Sequence, residues 1–265
     1  MAHPPPTSSP RWPVWTVPAA LIFALAMAGV GQALIVLVLD LVGLHVDPAN
    51  PSPGIAVALN AVLDVTLVGS AWVLAGAAGR RPTLGELGLR RVRLRRAIGP
   101  TLAVVVAYLA LAAVYGLLVS APKERVPGIG VASPTASVLA YGLLVGVIAP
   151  VAEELFFRGF AFTALRRRLG TAGAAVASGA LFAAVHLLGS TDAVFVPVLA
   201  LFGIGLALLY ARTGSLLPGI ALHSLNNAYA LTLLVGWSWQ VVPLALGSWL
   251  LLAGGLGPLT RRTSV

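Results

Sequence analysis

Residues 136–165 read ASVLAYGLLVGVIAPVAEELFFRGFAFTAL and hold the charged residues Glu153, Glu154 and Arg158 within an otherwise apolar run. About 20 apolar residues are enough for a helix to cross the hydrocarbon core of a bilayer. A charged side chain in that core is costly, and it usually has a partner or a function there. The stretch therefore predicts a membrane-spanning helix that carries functional groups.

The composition of the whole chain is typical of a membrane protein. Of the 265 residues, 58% are hydrophobic and 9% are charged, and the mean hydropathy is +0.95. Soluble domains carry about 25% charged residues, so lipid must solvate much of this chain. The chain has no cysteine, which excludes disulfides, thiol nucleophiles and cysteine-ligated metals.

Eight apolar stretches are long enough to span a bilayer. The polar, proline-rich residues 1–13 precede them, and turn-rich segments such as DPANPSPG at 47–54 separate them. We therefore predict an all-α, polytopic transmembrane helix bundle of about eight spans. The spans are placed at residues 14–44, 54–79, 97–120, 136–165, 171–189, 191–211, 214–236 and 238–259.

The distribution of basic residues predicts the orientation. With the N-terminus in the cytoplasm, 14 of the 17 Lys and Arg lie in cytoplasmic loops or tails, two lie outside, and Arg158 lies within a span. This bias is the one that orients membrane proteins, so both termini are predicted to be cytoplasmic. The net charge of +9 therefore indicates membrane-flanking anchors, and no nucleic-acid partner is expected. The arginines of the loop at 79–99 either lie along anionic headgroups or serve only as topology determinants.

Polar side chains inside the spans concentrate in the second half of the chain. In chain order they are Glu153, Glu154, Arg158, His186, His223, Asn226 and Asn227. A rise of about 1.5 Å per residue places Glu153, His186 and His223 roughly 18, 22 and 14 Å from the cytoplasmic side. Three helices thus bring polar groups to a similar depth, as a buried site requires.

Spacing within the helices predicts local pairs. Glu154 and Arg158 are four residues apart and can form an ion pair that holds the fourth span in place. Glu153 is rotated by about 100° from Glu154 and can point elsewhere. Phe182 lies one turn before His186 and can pack against its ring.

These residue types support hydrolysis. A buried carboxylate beside an imidazole can hold and deprotonate a water, and imidazole or amide groups can stabilise the oxyanion that forms when water attacks a carbonyl. We assign Glu153 as the general base and His186 as its partner or as the group that orients the water. His223 and Asn227, four residues apart on one helix face, are assigned as oxyanion donors. The predicted reaction is hydrolysis of a peptide bond within the membrane.

Three motifs resemble those of a known family. EELFFR at 153–158 resembles the EExxxR motif of the CPBP family of type II CAAX prenyl proteases and bacteriocin-processing, ABI-like enzymes. FAAVH at 182–186 is similar to its FxxxH motif, and HSLNN at 223–227 to its HxxxN motif. The resemblance covers roughly residues 136–235 and implies the roles assigned above, with a peptide or membrane protein as substrate. Asn226 beside Asn227 leaves the choice of amide open.

Composition, the predicted spans and the resemblance together predict an organisation in four regions. Residues 1–13 are predicted to be a disordered cytoplasmic tail, and 14–135 to be transmembrane helices with a basic cytoplasmic loop at 79–99. Residues 136–236 are predicted to be the CPBP-like catalytic helices, and 237–265 the last transmembrane helix and a basic tail. The Ala-, Gly- and Arg-rich composition favours a bacterial cytoplasmic membrane as the location.

The metal content is left open by the motifs. Family members are often described as metalloproteases, and Glu153, His186 and His223 could ligate zinc with an open coordination position. The same residues could activate water without a metal, and this arrangement, with no tightly bound metal, is slightly favoured.

Other classes of protein are less consistent with the sequence. No histidine begins an HExxH motif, and neither GxGD nor rhomboid-like patterns are present. Asp40 and Asp64 are therefore assigned as structural hydrogen bonders. A proton-coupled transporter would usually show repeated halves with broken helices, which the sequence lacks. A non-catalytic membrane scaffold or immunity-type protein remains the second alternative.

Overall fold

The structure is a computed structural model that describes residues 12–47, 50–79, 81–120, 122, 126, 129–188, 193–236 and 246–247. Its elements are helical: α1 (Thr16–Leu41), α2 (Pro53–Ala77), α3 (Leu94–Leu118), α4 (Thr135–Leu143), α5 (Ala149–Glu153), α6 (Thr163–His186), α7 (Val196–Thr213) and α8 (Leu217–Val235). Two π-helical segments, Leu144–Ile148 and Glu154–Phe162, flank α5, and a short 3-10 turn precedes α7. The predicted all-α class is confirmed.

Within these residues, five helical runs are long and apolar enough to cross a membrane, as in a multi-pass membrane protein. They are α1, α2, α3, the 52-residue run Thr135–His186, and Ala193–Thr213. The predicted seventh span coincides with α8, and the predicted eighth, 238–259, lies outside the described residues apart from Leu246 and Gly247. The count of eight spans and the orientation stay predictions.

The long run Thr135–His186 is interrupted at Gly170, between the predicted fourth and fifth spans. Gly170 has φ +66° and ψ −179°, a conformation open almost only to glycine. The chain then returns along the preceding helix, since the Ser178 hydroxyl donates to the Phe157 carbonyl at 2.8 Å. The Phe182 ring meets the Phe157 ring edge-on at 5.3 Å. The run therefore forms two antiparallel helices, with the polar EELFFR stretch on the first.

The segment Glu154–Phe162 is π-helical, and all of its residues are buried. π-Helical turns are rare and are frequent at functional sites. The wider turns of a π-helix change which carbonyl oxygens accept a backbone hydrogen bond. In this segment, side-chain hydroxyl groups donate to two of the carbonyl oxygens. Thr163 Oγ1 donates to the Arg158 carbonyl at 3.3 Å, and Ser178 donates to that of Phe157. These bonds stabilise an irregular helix that the sequence pattern did not predict.

Glycines allow α6 and α7 to approach closely beside this segment. A Cβ added at Gly179 would lie 2.7 Å from the Ala200 carbonyl oxygen, and one added at Gly203 would lie 2.8 Å from the Gly179 Cα. Small residues at such contacts let two helix backbones pack tightly in lipid. The close packing brings the Gly203 carbonyl within 3.2 Å of Arg158 Nη2.

The loop between α2 and α3, residues 81–93, packs into one end of the bundle. Leu87 and Leu89 are each only 2% exposed, although the sequence predicted nothing more than a basic loop here. The Leu87 carbonyl oxygen would lie 2.5 Å from a Cβ at Gly159, and the Gly88 carbonyl accepts from Leu216 N at 2.9 Å. The α2–α3 loop therefore joins the π-helical segment to the start of α8.

The start of α1 lies at this same end. Trp12 is buried, and its ring centroid is 5.4 Å from that of Phe160. Trp12 belongs to residues 1–13, which the sequence predicts to be a disordered tail; residues 1–11 lie outside the described residues.

Replacing Gly179 with alanine should destabilise the bundle by about 1–3 kcal/mol, because the added methyl group meets backbone atoms of α7. The measurement is thermal or denaturant unfolding in detergent. Gly116→Ala in α3 is the matched control, since a Cβ there meets nothing within 4 Å. Equal stability of the two variants would contradict the close packing of α6 on α7.

Candidate active site

Arg158 is fully buried, and its guanidinium has partners in three directions, although its Nε makes no hydrogen bond within the described residues. Its Nη1 lies 2.6 Å from Glu154 Oε1, which confirms the predicted ion pair, and its Nη2 donates to the Gly203 carbonyl at 3.2 Å. Its Cζ lies 4.6 Å from the centroid of the Phe182 ring, within the range of a cation–π contact. A buried ion pair is tolerated only when such additional contacts offset the loss of water.

His223 of α8 lies between the two consecutive glutamates. Its Nδ1 is 3.2 Å from Glu154 Oε1, and its Nε2 is 3.5 Å from Glu153 Oε2. Because Glu154 is the carboxylate partner of the guanidinium, it accepts the hydrogen bond and Nδ1 donates it. The rings of Phe182 and Phe202 each meet the imidazole edge-on at 5.6 Å. The orientation of His223 is thus fixed, with Nε2 directed at Glu153.

The two glutamates differ in their access to solvent. The side chain of Glu154 is 0% exposed, whereas that of Glu153 is 15% exposed. The Oε2 atoms of Glu153 and Glu154 are both buried and make no hydrogen bond within the described part of the chain. Because part of its side chain is exposed, Glu153 is the carboxylate nearer to solvent, and Glu154 is the one that contacts both Arg158 and His223.

His186 joins the site through Phe182. The two rings pack at a centroid distance of 4.6 Å, as the sequence predicted, and Phe182 in turn contacts His223. His186 Nδ1 lies 2.8 Å from the Phe182 carbonyl oxygen. A carbonyl only accepts, so Nδ1 carries the proton and Nε2 of the neutral ring is an acceptor.

The adjacent amides of α8 face different helices. Asn227 Nδ2 donates to the Val145 carbonyl at 2.9 Å, in the π-helical segment just before α5. The Tyr108 hydroxyl of α3 lies 3.5 Å from Asn226 Oδ1. Of the two amides, Asn227 is therefore the one that faces the helix on which Glu153 lies.

Two residues near the site were not assigned to it from the sequence. Asp64 of α2 is buried, and it lies close enough to Glu153 for their charges to interact. The carboxyl group of Asp64 in an apolar span could have indicated a site residue, but Asp64 was assigned only as a structural hydrogen bonder. Tyr108, which reaches Asn226, gave no signal because its partner depends on helix packing. Asp40, assigned the same structural role as Asp64, accepts a hydrogen bond from a backbone N–H at 3.2 Å.

The predicted zinc ligands do not form a metal site. Among the described residues, no three or more His, Cys, Asp or Glu side chains are grouped so that they could hold a metal ion. As the structure places these residues, they therefore do not fit a zinc ion.

The candidate site lies in a part of the chain that matches a known protein family. Residues 135–229 match the family model described as type II CAAX prenyl endopeptidase Rce1-like. These residues are a domain of that family. The match confirms the resemblance that the three motifs indicated. No curated protein matches the chain, and no solved structure matches it.

The Rce1-like domain extends from α4 into α8 and contains every motif residue of the candidate site. Helices α1 to α3 and the α2–α3 loop lie outside the match. Membership in the family implies an intramembrane protease, and hence peptide substrates.

Arg158→Met should destabilise the Rce1-like domain by about 3–5 kcal/mol, because it leaves the buried Glu154 without its guanidinium. Unfolding in detergent measures this loss. The double variant Glu154→Gln with Arg158→Met removes both charges and should recover most of the stability. If the single and double variants were equally stable, the ion pair would not be the constraint that its burial indicates.

Proposed function

We propose that this chain is an intramembrane endopeptidase in which Glu153 activates the attacking water without a tightly bound metal. The observation that carries the proposal is the position of His223. Glu154 holds its Nδ1 while its Nε2 faces Glu153 Oε2 at 3.5 Å. A carboxylate with partial access to solvent beside an oriented imidazole is suited to general base catalysis.

In the proposed reaction a water lies between Glu153 and the scissile carbonyl. Glu153 takes a proton from the water, whose oxygen then bonds to the carbonyl carbon, and the carbonyl oxygen becomes an oxyanion. The C–N bond then breaks, and the carboxyl group of Glu153 returns the proton to the leaving amine. Atoms and charge balance with one water consumed per peptide bond.

Three side chains assist these steps in the proposal. In the proposal His223 carries a proton on both ring nitrogens: Nδ1–H donates to Glu154, and Nε2–H donates to the oxyanion. The second N–H of Asn227, whose first N–H is bonded to Val145, also donates to the oxyanion. His186 Nε2 accepts a hydrogen bond from the water and orients it, a role supported by the proton on its Nδ1. Both His223 and Asn227 come from one face of α8, so substrate would lie between α8 and the helix of Glu153.

Glu154 and Arg158 act as positioning residues. Their ion pair is fully buried, and Glu154 touches the imidazole of His223. We propose that they fix the orientation of His223 and take no part in proton transfer. For substrate, we propose a peptide of a membrane-associated protein. The family description names CAAX prenyl endopeptidases, so lipidated and unlipidated peptides are tested side by side.

Glu153→Gln should lower the rate of peptide cleavage by about 10²–10⁴-fold, the usual contribution of a general base. The assay uses purified protein in detergent with quenched-fluorescent peptides, with and without a prenyl group. Unfolding of the variant should match that of the wild type, because the side chain keeps its shape. Metal content is measured on the same samples.

Cleavage by both proteins at the same rate would contradict the role of Glu153. Full function of Glu153→Gln in a strain that lacks the wild-type chain would instead support the non-catalytic scaffold. A stoichiometric metal whose removal abolishes cleavage would contradict the metal-free mechanism.

Asn227→Ala should lower kcat by about 10²–10³-fold, the effect of removing one oxyanion donor. Asn226→Ala is the matched control, because it removes the same group from the neighbouring residue, which faces α3. Its kcat should stay within about twofold of wild type, since it touches no proposed reacting group. Equal losses in the two variants would show that the amide acts through the packing of α8.

A further inference from the structure

The α2–α3 loop and the turn between α7 and α8 bring arginines together at one end of the bundle. The Arg90 guanidinium donates to the Gly214 carbonyl, and the Ser215 hydroxyl donates to the Arg90 carbonyl. Arg212 is on the last turn of α7, two residues before Gly214. Arg90 and Arg212 therefore lie at the same turn, although 122 positions separate them in the sequence.

A third arginine reaches this region from α6. Arg166 Cζ lies 6.0 Å from the centroid of the Phe162 ring, which packs edge-on against Tyr210 at 6.0 Å. The Tyr210 ring also contacts the loop, since a Cβ at Gly88 would lie 2.5 Å from it. Tyr210 thus lies between the segment that holds Arg166 and the one that holds Arg90.

The charge of this end is strongly positive. Arg90, Arg166 and Arg212 are exposed, as are the arginines that flank them, namely Arg91, Arg93, Arg95, Arg96, Arg167 and Arg168. Glu86, the acidic residue of the α2–α3 loop, accepts hydrogen bonds from Thr83 N at 2.8 Å and Thr83 Oγ1 at 3.0 Å. One carboxylate cannot balance this number of guanidinium groups, so this end carries a net positive charge.

An exposed apolar side chain indicates which anion would fit this end. Leu169, which directly follows Arg166–Arg168, is 48% exposed. Arginine binds phosphate through paired N–H donors, and its stem can lie along apolar surface while the head stays in water. A ligand with a phosphate and adjoining acyl chains would contact both kinds of side chain.

We propose that Arg90, Arg166 and Arg212 form a binding site for the phosphate of an anionic phospholipid. The site is composite, because one arginine comes from outside the Rce1-like domain and two come from within it. It lies at the start of α8, on a contact that ties the α2–α3 loop to the helix that carries His223. The proposal does not depend on the peptidase proposal, and its test measures lipid binding.

The test measures association of spin-labelled phosphatidylglycerol, relative to spin-labelled phosphatidylcholine, with the full chain in nanodiscs of phosphatidylcholine. Arg166→Gln with Arg212→Gln leaves the bond between Arg90 and Gly214 intact, so the fold should be kept. Each arginine that donates to the bound phosphate is worth roughly tenfold in binding, so this double variant should lose at least about tenfold in selectivity. Arg90→Gln, made separately, should also lose roughly tenfold.

Arg93→Gln with Arg95→Gln is the matched control, since it removes the same charge from exposed positions outside the cluster. Its selectivity should stay within about twofold of wild type at physiological salt, because Arg93 and Arg95 add only surface charge that salt screens. Equal losses in both double variants would overturn the proposal and show a general effect of surface charge. Displacement of phosphatidylglycerol by millimolar inorganic phosphate would also overturn it, because a free anion would then be the preferred ligand.

Discussion

The ion pair between Arg158 and Glu154 is the interaction on which the candidate site depends. Both side chains are fully buried in a helix that is apolar enough to cross a bilayer. Charges in such surroundings are stable only when each finds partners. The Gly203 carbonyl, the face of Phe182 and the imidazole of His223 supply those partners. The packing of α6, α7 and α8 around the π-helical segment follows from this requirement.

The same ion pair accounts for the difference between two consecutive glutamates. Glu154 is committed to Arg158 and His223, so it is buried and its oxygen Oε1 makes two contacts. Glu153 lies at the end of α5, partly exposed, with the other nitrogen of His223 facing it. One carboxylate can therefore orient the imidazole while the other stays available for chemistry. This division of roles is what the proposed mechanism requires.

Local features of the site could be predicted from the sequence, because they depend on spacing along one helix. The Glu154–Arg158 pair and the packing of Phe182 on His186 are of this kind. The break at Gly170 falls between the predicted fourth and fifth spans, which composition alone separates. The contact of His223 with both glutamates depends on how α8 is rotated against α5, which periodicity does not determine. The π-helical turns and the burial of Leu87 arise from packing between distant segments, so no local pattern indicated them.

The helices outside the matched domain also contribute to the site. Asp64 of α2 lies near Glu153, and Tyr108 of α3 reaches Asn226 and packs on Phe202 at 4.9 Å. The α2–α3 loop packs against Gly159 and the start of α8. The domain is therefore held by the whole bundle, and its motifs describe only the part of the site that lies on its own helices.

The orientation of His223 is tested most directly by ¹⁵N NMR of protein labelled at its four histidines, with His223 assigned from a His223→Gln sample. The account predicts a protonated Nδ1 whose signal shifts in Glu154→Gln, and an Nε2 signal that shifts in Glu153→Gln. An unprotonated Nδ1, or His223 signals that neither glutamate variant changes, would contradict the placement of His223 between the two carboxylates.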